Sequence, residues 1–390
     1  MANHNHAAPA PVGGSLVNAL TLTCGVLIAL MVAILMVRFL FGLGSVTALN
    51  DGYPWGIWVV VDVVIGSAFA CGGFSVAMLV YIFNKGEYHP LVRPALLASL
   101  FGYTLAGAGV IFDLGRPWNV WHMFNPWSIN LNSVMFEVAV CISLYIVVMW
   151  IEFSPVILEQ QGKLELKKKV GRAMFFIIAL GTLLPMMHQS SLGTLLVVLG
   201  VQIHPLWQTP IQPALYLLSA ITMGYAVVLF ESCLTSTAYR RRIEGHLLTP
   251  LAKIMLGFLA VYLVIRIADL VIRGALPRAF VPSIEALCFW IEMLSFIAPL
   301  ILIGAEDNRR NPARLFLAGV LLMLGGALLR LNGFLIGYET NVDGAGGYSY
   351  FPTLAEVLVT AGMFAIEVLG YIVITRRFPV LPREHAQAAH

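Results

Sequence analysis

Residues 16–42 read LVNALTLTCGVLIALMVAILMVRFLFG and contain one charged side chain, Arg38. A helix of about 20 apolar residues crosses the hydrocarbon layer of a bilayer, so this stretch alone predicts a membrane span. Nine later stretches satisfy the same criterion. The predicted spans are residues 16–42, 56–83, 95–114, 131–153, 171–200, 212–238, 251–273, 283–304, 313–338 and 353–377.

The composition of the whole chain agrees with this prediction. Of its 390 residues, 59% are hydrophobic and 11% are charged, whereas soluble domains carry about 25% charged residues. These values exclude a soluble globular enzyme, a disordered chain and a nucleic-acid-binding protein. The net charge of +3 is too small to indicate an anionic polymer as partner. We therefore predict an all-α polytopic membrane protein of about ten transmembrane helices, in contact with lipid and not with nucleic acid.

The distribution of Lys and Arg predicts the orientation of the chain. These residues accumulate on the cytoplasmic side of membrane proteins. Seventeen of the 23 lie in the tails and in the loops on the same side as the tails, four lie on the opposite side and two lie within spans. We therefore expect cytoplasmic termini, with tails at residues 1–15 and 378–390, in a bacterial inner membrane.

The loops on the opposite side are long and aromatic. Trp and Tyr are common at membrane interfaces, so an aromatic belt is one interpretation. The dense Pro, Asn, His and Gly of these loops favour a second interpretation, an ordered platform for a partner protein. The loops are residues 43–55, 115–130, 201–211 and 339–352.

Cysteine and histidine positions bear on cofactors. The five cysteines are isolated within apolar stretches, so we expect no iron–sulfur cluster and no metal site in this chain. A b-type haem usually needs two facing histidines, and only His188 lies deep in a predicted span. We therefore expect no haem, although a His–Met ligand pair stays open.

Ionisable side chains within spans are costly and indicate function by default. Several of them lie near the outer surface and others lie toward the cytoplasm, as in a redox site with a proton path. Ten of the twenty acidic residues fall in or at the edge of spans: Asp62, Asp113, Glu137, Glu152, Glu231, Asp269, Glu285, Glu292, Glu356 and Glu367.

The basic residues within spans predict supporting ion pairs. Arg266 and Asp269 are three residues apart on one helix face, which predicts a buried pair. Arg330 is expected to neutralise another acid in the outer half, and Glu292 belongs to this supporting set. His188 follows Pro185 and is either a structural histidine or a proton donor to a quinone, because imidazole titrates near neutral pH.

Several longer strings resemble the NrfD/PsrC family of polytopic quinone-reactive subunits. Within it they are most similar to the HybB type, the membrane subunit of hydrogenase-2-type nickel–iron hydrogenases. The resemblance covers about residues 36–380. It rests on FGLGSVTALNDGYPWGIW, HPLVRPALLASLFGY, NLNSVMFEVAVC, FFIIALGTLLPMMHQSSLGTL, HPLWQ and GGYSYFPTLAE.

The resemblance implies two four-helix bundles with a flanking helix at each end. The implied divisions are 16–55 (flanking helix and outer loop), 56–200 (first bundle), 201–338 (second bundle) and 339–377 (outer loop and last helix).

The resemblance also implies activity as a subunit of a hydrogen:quinone oxidoreductase, possible in both directions. Electrons would come from a ferredoxin-like iron–sulfur subunit on the periplasmic face, beside the small and large hydrogenase subunits, and would reduce a quinone, with menaquinone expected. The implied catalytic residues are Tyr103 in SLFGY, Glu137 in NSVMFE, His188 in MHQSS and Glu231 in VLFES. The expected quinone-binding residues are His188, Glu137, Asp62 and Asn132.

Three other functions stay open at this stage. The chain could serve another oxidoreductase of the same family, act as a proton or solute transporter, or be a structural anchor only. Transporter sites usually combine broken helices with inverted repeats, and the sequence shows no such paired interruption.

Overall fold

A computed structural model describes residues 8–53, 55–340 and 347–383 of the chain. The outer parts of both predicted tails, residues 1–7 and 384–390, lie outside the described residues. So does the segment 341–346 of the last aromatic loop.

Within the described residues, ten helices are long and apolar enough to cross a membrane, which confirms the all-α polytopic prediction. They are α1 Ala19–Phe41, α2 Trp58–Ile82, α3 Gly86–Asp113, α4 Val134–Gln160, α5 Leu164–Gln202, α6 Gln212–Ala238, α7 Gly245–Ile272, α8 Ile284–Ile303, α9 Pro312–Ile336 and α10 Leu354–Arg377. Two faces follow from this order. We call the face with the loops after α2, α4, α6 and α8 the basic face, and the one with the other loops the aromatic face.

Four helix ends on the basic face extend well beyond the predicted spans. Helix α3 starts at Gly86, α4 runs to Gln160, α5 starts at Leu164 and α7 starts at Gly245. Polar residues are frequent in these extra turns, and Glu159 pairs there with Lys167 at 2.9 Å. Hydropathy detects only the part of a helix that is surrounded by lipid, so these turns could not be seen as spans.

Helix α2 is the central and most irregular span. Its apolar window is 89% buried, against 22% for α1. Wide π-type turns form Trp58–Ile65 and Met78–Ile82, and the helix is interrupted at Ala70 and Cys71. Such local unwinding changes the direction in which successive side chains point. Helix α2 can therefore present polar groups to more than one neighbouring helix.

The helices pack as two rings. In the first ring, each of α2 to α5 contacts the next and α5 returns to α2. In the second ring, α6 to α9 do the same, with α9 returning to α6. The rings meet where α2 contacts α6 and α9 and where α5 contacts α6. Helices α1 and α10 pack against each other, and α10 lies on α2 and α3.

The ends of the described chain are joined on the basic face. Strands β1 (Pro9–Ala10) and β2 (Leu381–Pro382) pair in antiparallel orientation. Arg93 donates to the carbonyl of Pro379 at 2.7 Å, and Arg241 donates to the carbonyl of Pro382. These contacts tie the segment after α10 to α3 and to the loop after α6.

The contact between α2 and α6 yields a first prediction. A Cβ atom on Gly224 would lie 2.2 Å from Ser75 Oγ and 2.6 Å from the Cys71 carbonyl oxygen. Gly224→Ala should therefore separate α6 from α2 and destabilise the fold by about 1–3 kcal/mol, as overpacking does. Thermal unfolding of the detergent-solubilised protein measures the effect.

The matched control is Gly257→Ala, because a Cβ atom there meets nothing within 4 Å. Equal unfolding temperatures for the two variants would contradict this account of the contact.

Candidate functional site

A chain of buried polar side chains links the two rings. Ser67 Oγ of α2 lies 3.0 Å from His188 Nε2 and accepts a hydrogen bond from Gln189 Nε2 at 3.1 Å. Gln189 Oε1 accepts from Arg330 of α9 at 2.9 Å. All four side chains are fully buried. The imidazole in the first ring is thereby connected to a guanidinium in the second.

Arg330 carries its charge without a carboxylate partner among the described residues. It donates to Ser219 Oγ at 3.2 Å and to the Gly326 carbonyl at 3.0 Å, and it lies 4.9 Å from the ring centroid of Tyr216. Its Nε has no hydrogen-bond partner. The expectation that Arg330 neutralises an acid is therefore wrong. The neighbours are neutral oxygen atoms, the Met223 sulfur at 3.3 Å and a π face, so a positive potential remains at the junction of the rings.

The structure brings two of the predicted site residues together. The Tyr103 ring lies 5.9 Å from the His188 ring and 4.4 Å from the Tyr145 ring, between centroids. The Tyr103 hydroxyl lies 3.8 Å from Cys71 Sγ. His188 Nδ1 has no hydrogen-bond partner in the described structure. The imidazole therefore packs against a phenol in an edge-to-face arrangement, while one ring nitrogen has no partner.

A second buried network lies within the second ring. Arg266 Nη2 and Glu292 Oε1 are 3.8 Å apart, and both side chains are fully buried. Glu292 Oε2 accepts from Trp207 Nε1 at 2.8 Å and from Asn332 Nδ2 at 2.9 Å. Glu292 thus joins α7, α8, α9 and the loop before α6 through one carboxylate.

The predicted pairing of Arg266 with Asp269 is wrong. Asp269 pairs instead with Arg273, four residues later, at 2.7 Å, and accepts from Thr209 at 2.7 Å. Spacing along one helix places Arg266 and Asp269 on a common side, but α8 brings Glu292 to Arg266 from across the ring. The tertiary contact decides which acid is the partner.

Asp62 and Glu231 lie away from the His188 chain. Asp62 is 7% exposed, and its Oδ2 accepts from Thr360 of α10 at 3.1 Å. Glu231 accepts from the Tyr371 hydroxyl, also on α10, and lines a cavity of about 50 Å³ at the basic face. Both acids therefore face the last helix rather than the imidazole.

Glu137 and Asn132 are exposed at the aromatic face. Ser133 caps α4, so Glu137 is the fourth residue of the helix and lies in its first turns. The apolar run from residue 131 predicted a deeper position, because it included residues before the cap. No hydrogen bond in the described structure joins either side chain to His188.

Several polar residues of the two buried networks were not predicted from the sequence, because the prediction within spans rested on ionisable groups. These uncharged residues are Ser67, Gln189 and Ser219 near His188 and Arg330, and Asn332 beside Glu292. The sequence feature that indicates this network is Gln189, which directly follows His188 in a span. A neutral amide within lipid also needs hydrogen-bond partners, so it indicates a buried polar contact as an ionisable side chain does.

The loop with the string HPLWQ contacts the second network from the aromatic face. Burial lowers the pKa of His204, whose Nδ1 accepts from the Leu206 backbone at 3.3 Å. Trp207 of the same string is the donor to Glu292. The HPLWQ string therefore has a structural role, because it supplies a hydrogen-bond donor to the buried Glu292 carboxylate.

The aromatic loops divide into buried and exposed parts. Trp55, at the end of the loop 43–55, is buried and donates to the Phe334 carbonyl, and Trp58, the first residue of α2, is buried and donates to the Glu356 carbonyl. In contrast, Trp118 and Trp121 are exposed, and Trp127 is 94% exposed. The partner-platform interpretation thus applies best to the segment around residues 117–131, and it stays a prediction.

Comparison with known proteins places this arrangement in a family. The sequence profile described as "Polysulphide reductase, NrfD" matches residues 45–343. The chain belongs to the NrfD family. Helices α2 to α9, and with them the His188–Arg330 chain, fall within the matched region.

Three relatives extend over most of the chain. The probable Ni/Fe-hydrogenase 2 b-type cytochrome subunit of Escherichia coli K12 is 43% identical over 96% of this chain and 95% of the relative. The integral membrane subunit of menaquinone reductase from Nitratidesulfovibrio vulgaris Hildenborough is 27% identical, covering 88% and 87%. The integral membrane subunit of an Hdr-like menaquinol oxidoreductase from Archaeoglobus fulgidus is 22% identical, covering 87% and 88%.

The expectation that the chain carries no haem is contradicted by the first of these relatives. That protein is named a b-type cytochrome subunit, which points to haem. The histidine count failed as a criterion because it examined only paired histidine ligands, while axial ligands of other types occur. In the described spans no second histidine faces His188, so the residues present do not fit a haem held by two histidines.

The second network yields a stability prediction. Glu292→Ala would leave the Arg266 guanidinium buried without a carboxylate, which should cost about 3–5 kcal/mol. The double variant Arg266→Met/Glu292→Leu should recover most of this loss, because it removes both charges. Thermal unfolding in detergent measures both.

Glu285→Ala is the control, since Glu285 lies in the first turn of the same helix α8 and should change stability little. A double variant no more stable than Glu292→Ala would argue against the pairing.

Proposed function

We propose that this protein is the membrane anchor and quinone-reactive subunit of a periplasm-facing nickel–iron hydrogenase complex. The observation that carries the proposal is the buried Arg330 cation, joined through Gln189 and Ser67 to His188. The similarity to a hydrogenase-2 subunit and to a menaquinone reductase subunit supports it.

The chemistry of quinone reduction matches these groups. Hydrogen oxidised by the partner subunits yields two protons and two electrons, and the quinone takes up two electrons and two protons to become a quinol. Negative charge develops on the quinone oxygen before protonation. A guanidinium without a counter-ion in a medium of low dielectric constant stabilises such charge strongly. His188, bonded to Ser67 through Nε2, is the proton donor beside it.

The remaining predicted residues take supporting roles in this proposal. Glu137 is exposed at the rim of α4, where a lipid-soluble quinone can approach, and supplies the second proton. Tyr103, packed on His188, and Glu231, at the basic face, relay protons from the cytoplasm. Asp62 and Asn132 complete the expected quinone-binding set.

The aromatic face is the proposed docking side for a ferredoxin-like iron–sulfur subunit and, through it, for the small and large hydrogenase subunits. The exposed Trp118, Trp121 and Trp127 offer the contact area, because aromatic residues are enriched at protein interfaces. Electrons from the last cluster of that subunit would then reach a quinone in the outer half of the membrane, with menaquinone as the expected acceptor.

The quinone proposal predicts a separation of two activities of the purified complex. Arg330→Met should lower quinone-linked hydrogen oxidation by about 10²-fold, the usual effect of losing one charge-stabilising group. Arg330→Lys should retain part of the rate. Glu137→Gln should also reduce it. Dye-linked hydrogen oxidation should persist in all three variants, since the dye takes electrons from the partner subunits.

Equal loss of dye-linked and quinone-linked rates would instead indicate failed assembly, and unchanged quinone-linked rates in Arg330→Met would refute the role of the cation. The control is Arg278→Met, on the exposed loop after α7.

The proposed orientation predicts the labelling of introduced cysteines in intact cells. The native cysteines are buried or half-buried, so background labelling should be low. A membrane-impermeant maleimide should label Arg278→Cys on the aromatic face without permeabilisation. Lys168→Cys on the basic face should be labelled only after permeabilisation. The reverse pattern would show that the basic face is periplasmic.

A further inference from the structure

Helix α10 carries a polar stripe along one side. Its members are separated by four, seven, four and four residues, which places them on one helix face. They are Glu356, Thr360, Glu367, Tyr371 and Thr375. This helix lies beyond residues 45–343, the part of the chain that matches the family profile. The stripe is therefore a feature of this chain outside the matched region.

Three residues of the stripe contact polar groups outside α10. Thr360 Oγ1 donates to Asp62 of α2 at 3.1 Å, and the Tyr371 hydroxyl donates to Glu231 of α6. Nearer the basic face, the hydroxyl groups of Thr375 and Tyr239 are 2.8 Å apart. Glu356 and Thr375 are buried and the other three residues of the stripe are half-buried, so the stripe faces protein along its length.

A small cavity fills the interval between Asp62 and Glu367. Its volume is about 20 Å³, and a water molecule needs roughly 10–15 Å³ on this measure. Asp62 Oδ1 is buried without a hydrogen-bond partner, and a water in the cavity would supply one. The lining residues are Asp62, Gly66, Gly102, Leu105, Met363, Phe364 and Glu367.

The opposite end of the stripe reaches the basic face. Glu231 lines the second cavity, of about 50 Å³, together with the hydroxyl residues Ser232, Thr235 and Ser236. Glu367 and Tyr371 are four residues apart on α10 and are therefore neighbours on one helix face. Because Tyr371 donates to Glu231, Glu367 is the next carboxyl group along the stripe after the one that lines this cavity.

We propose that α10 holds a proton path from the basic face to Asp62, through Glu231, Tyr371, Glu367 and one water molecule. Each step passes one proton between oxygen atoms and leaves the donor to be reprotonated from the basic face. The path needs no oxidant or reductant. This proposal rests on the proposed function, because the protons are consumed by the quinone, which takes up two protons for every two electrons.

The first test is Glu367→Gln in the complete hydrogenase complex reconstituted in liposomes. An amide cannot replace a carboxyl in relaying protons, so quinone-linked hydrogen oxidation and proton uptake from the basic-face side should both fall by at least about tenfold. Dye-linked oxidation should persist. Glu152→Gln is the matched control. Glu152 lies at similar depth in α4 but packs against Gly181 of α5, away from the stripe.

A second pair of variants examines the upper end of the path. Thr360→Val removes the hydroxyl that holds Asp62, and proton uptake should fall. Thr104→Val is its control, because the Thr104 hydroxyl bonds only to the Leu100 carbonyl of its own helix, at 2.7 Å. Unchanged rate and uptake in both Glu367→Gln and Thr360→Val would overturn the path.

A measurement without turnover separates this proposal from the proposed function. In infrared spectra, the carboxyl band lost in Asp62→Asn should exchange with deuterium from the basic-face side, and Glu367→Gln should slow that exchange. Equal exchange in wild type and Glu367→Gln would refute the path, whatever the quinone activity. Wild-type complex that reduces no quinone, yet shows the slowed exchange in the variant, would refute only the proposed function.

Discussion

The hydrocarbon layer offers no water to polar groups, so polar side chains within a span are stabilised mainly by contacts with other polar groups of the protein. This constraint explains the arrangement around Arg330. Its hydrogen bonds go to residues of α5, α6 and α9, and each of those helices must keep its register for the bonds to form. The polar part of the contact between the two rings is therefore made by one cation and neutral acceptors rather than by an ion pair.

The irregularity of α2 follows from the same constraint. Ser67 faces His188 of α5, whereas Asp62, five residues earlier, faces Thr360 of α10. Wide turns rotate the side chains relative to a regular helix, so one span can supply a polar group to the junction of the rings and another to the flanking helix. The cost of local unwinding is acceptable because α2 is covered by protein on nearly all sides.

The amino-acid sequence was sufficient to locate all ten spans, because long apolar runs leave a membrane protein few alternatives. It was less informative on position around and along each helix. The depth of Glu137 depended on the cap at Ser133, and the partner of Arg266 depended on where α8 places Glu292. Both depend on contacts between segments that are distant in the sequence, and the spacing of residues along one helix does not predict those contacts. The exclusion of haem failed for a related reason, since a count of one residue type cannot represent all ligand sets.

The packing of α1 against α10 has a consequence for biosynthesis. Of the ten described spans, α1 is synthesised before the others, and its main neighbour is α10, with Met31 against Gly362. During translation α1 must therefore remain in lipid as a separate helix, and its largely exposed, apolar surface suits that interval. Residues 31 and 362 are separated by most of the sequence, so we expect the contact between α1 and α10 to form late in folding. The pairing of β1 with β2 requires residues from both sides of all ten helices, so it can form only after α10 has been synthesised.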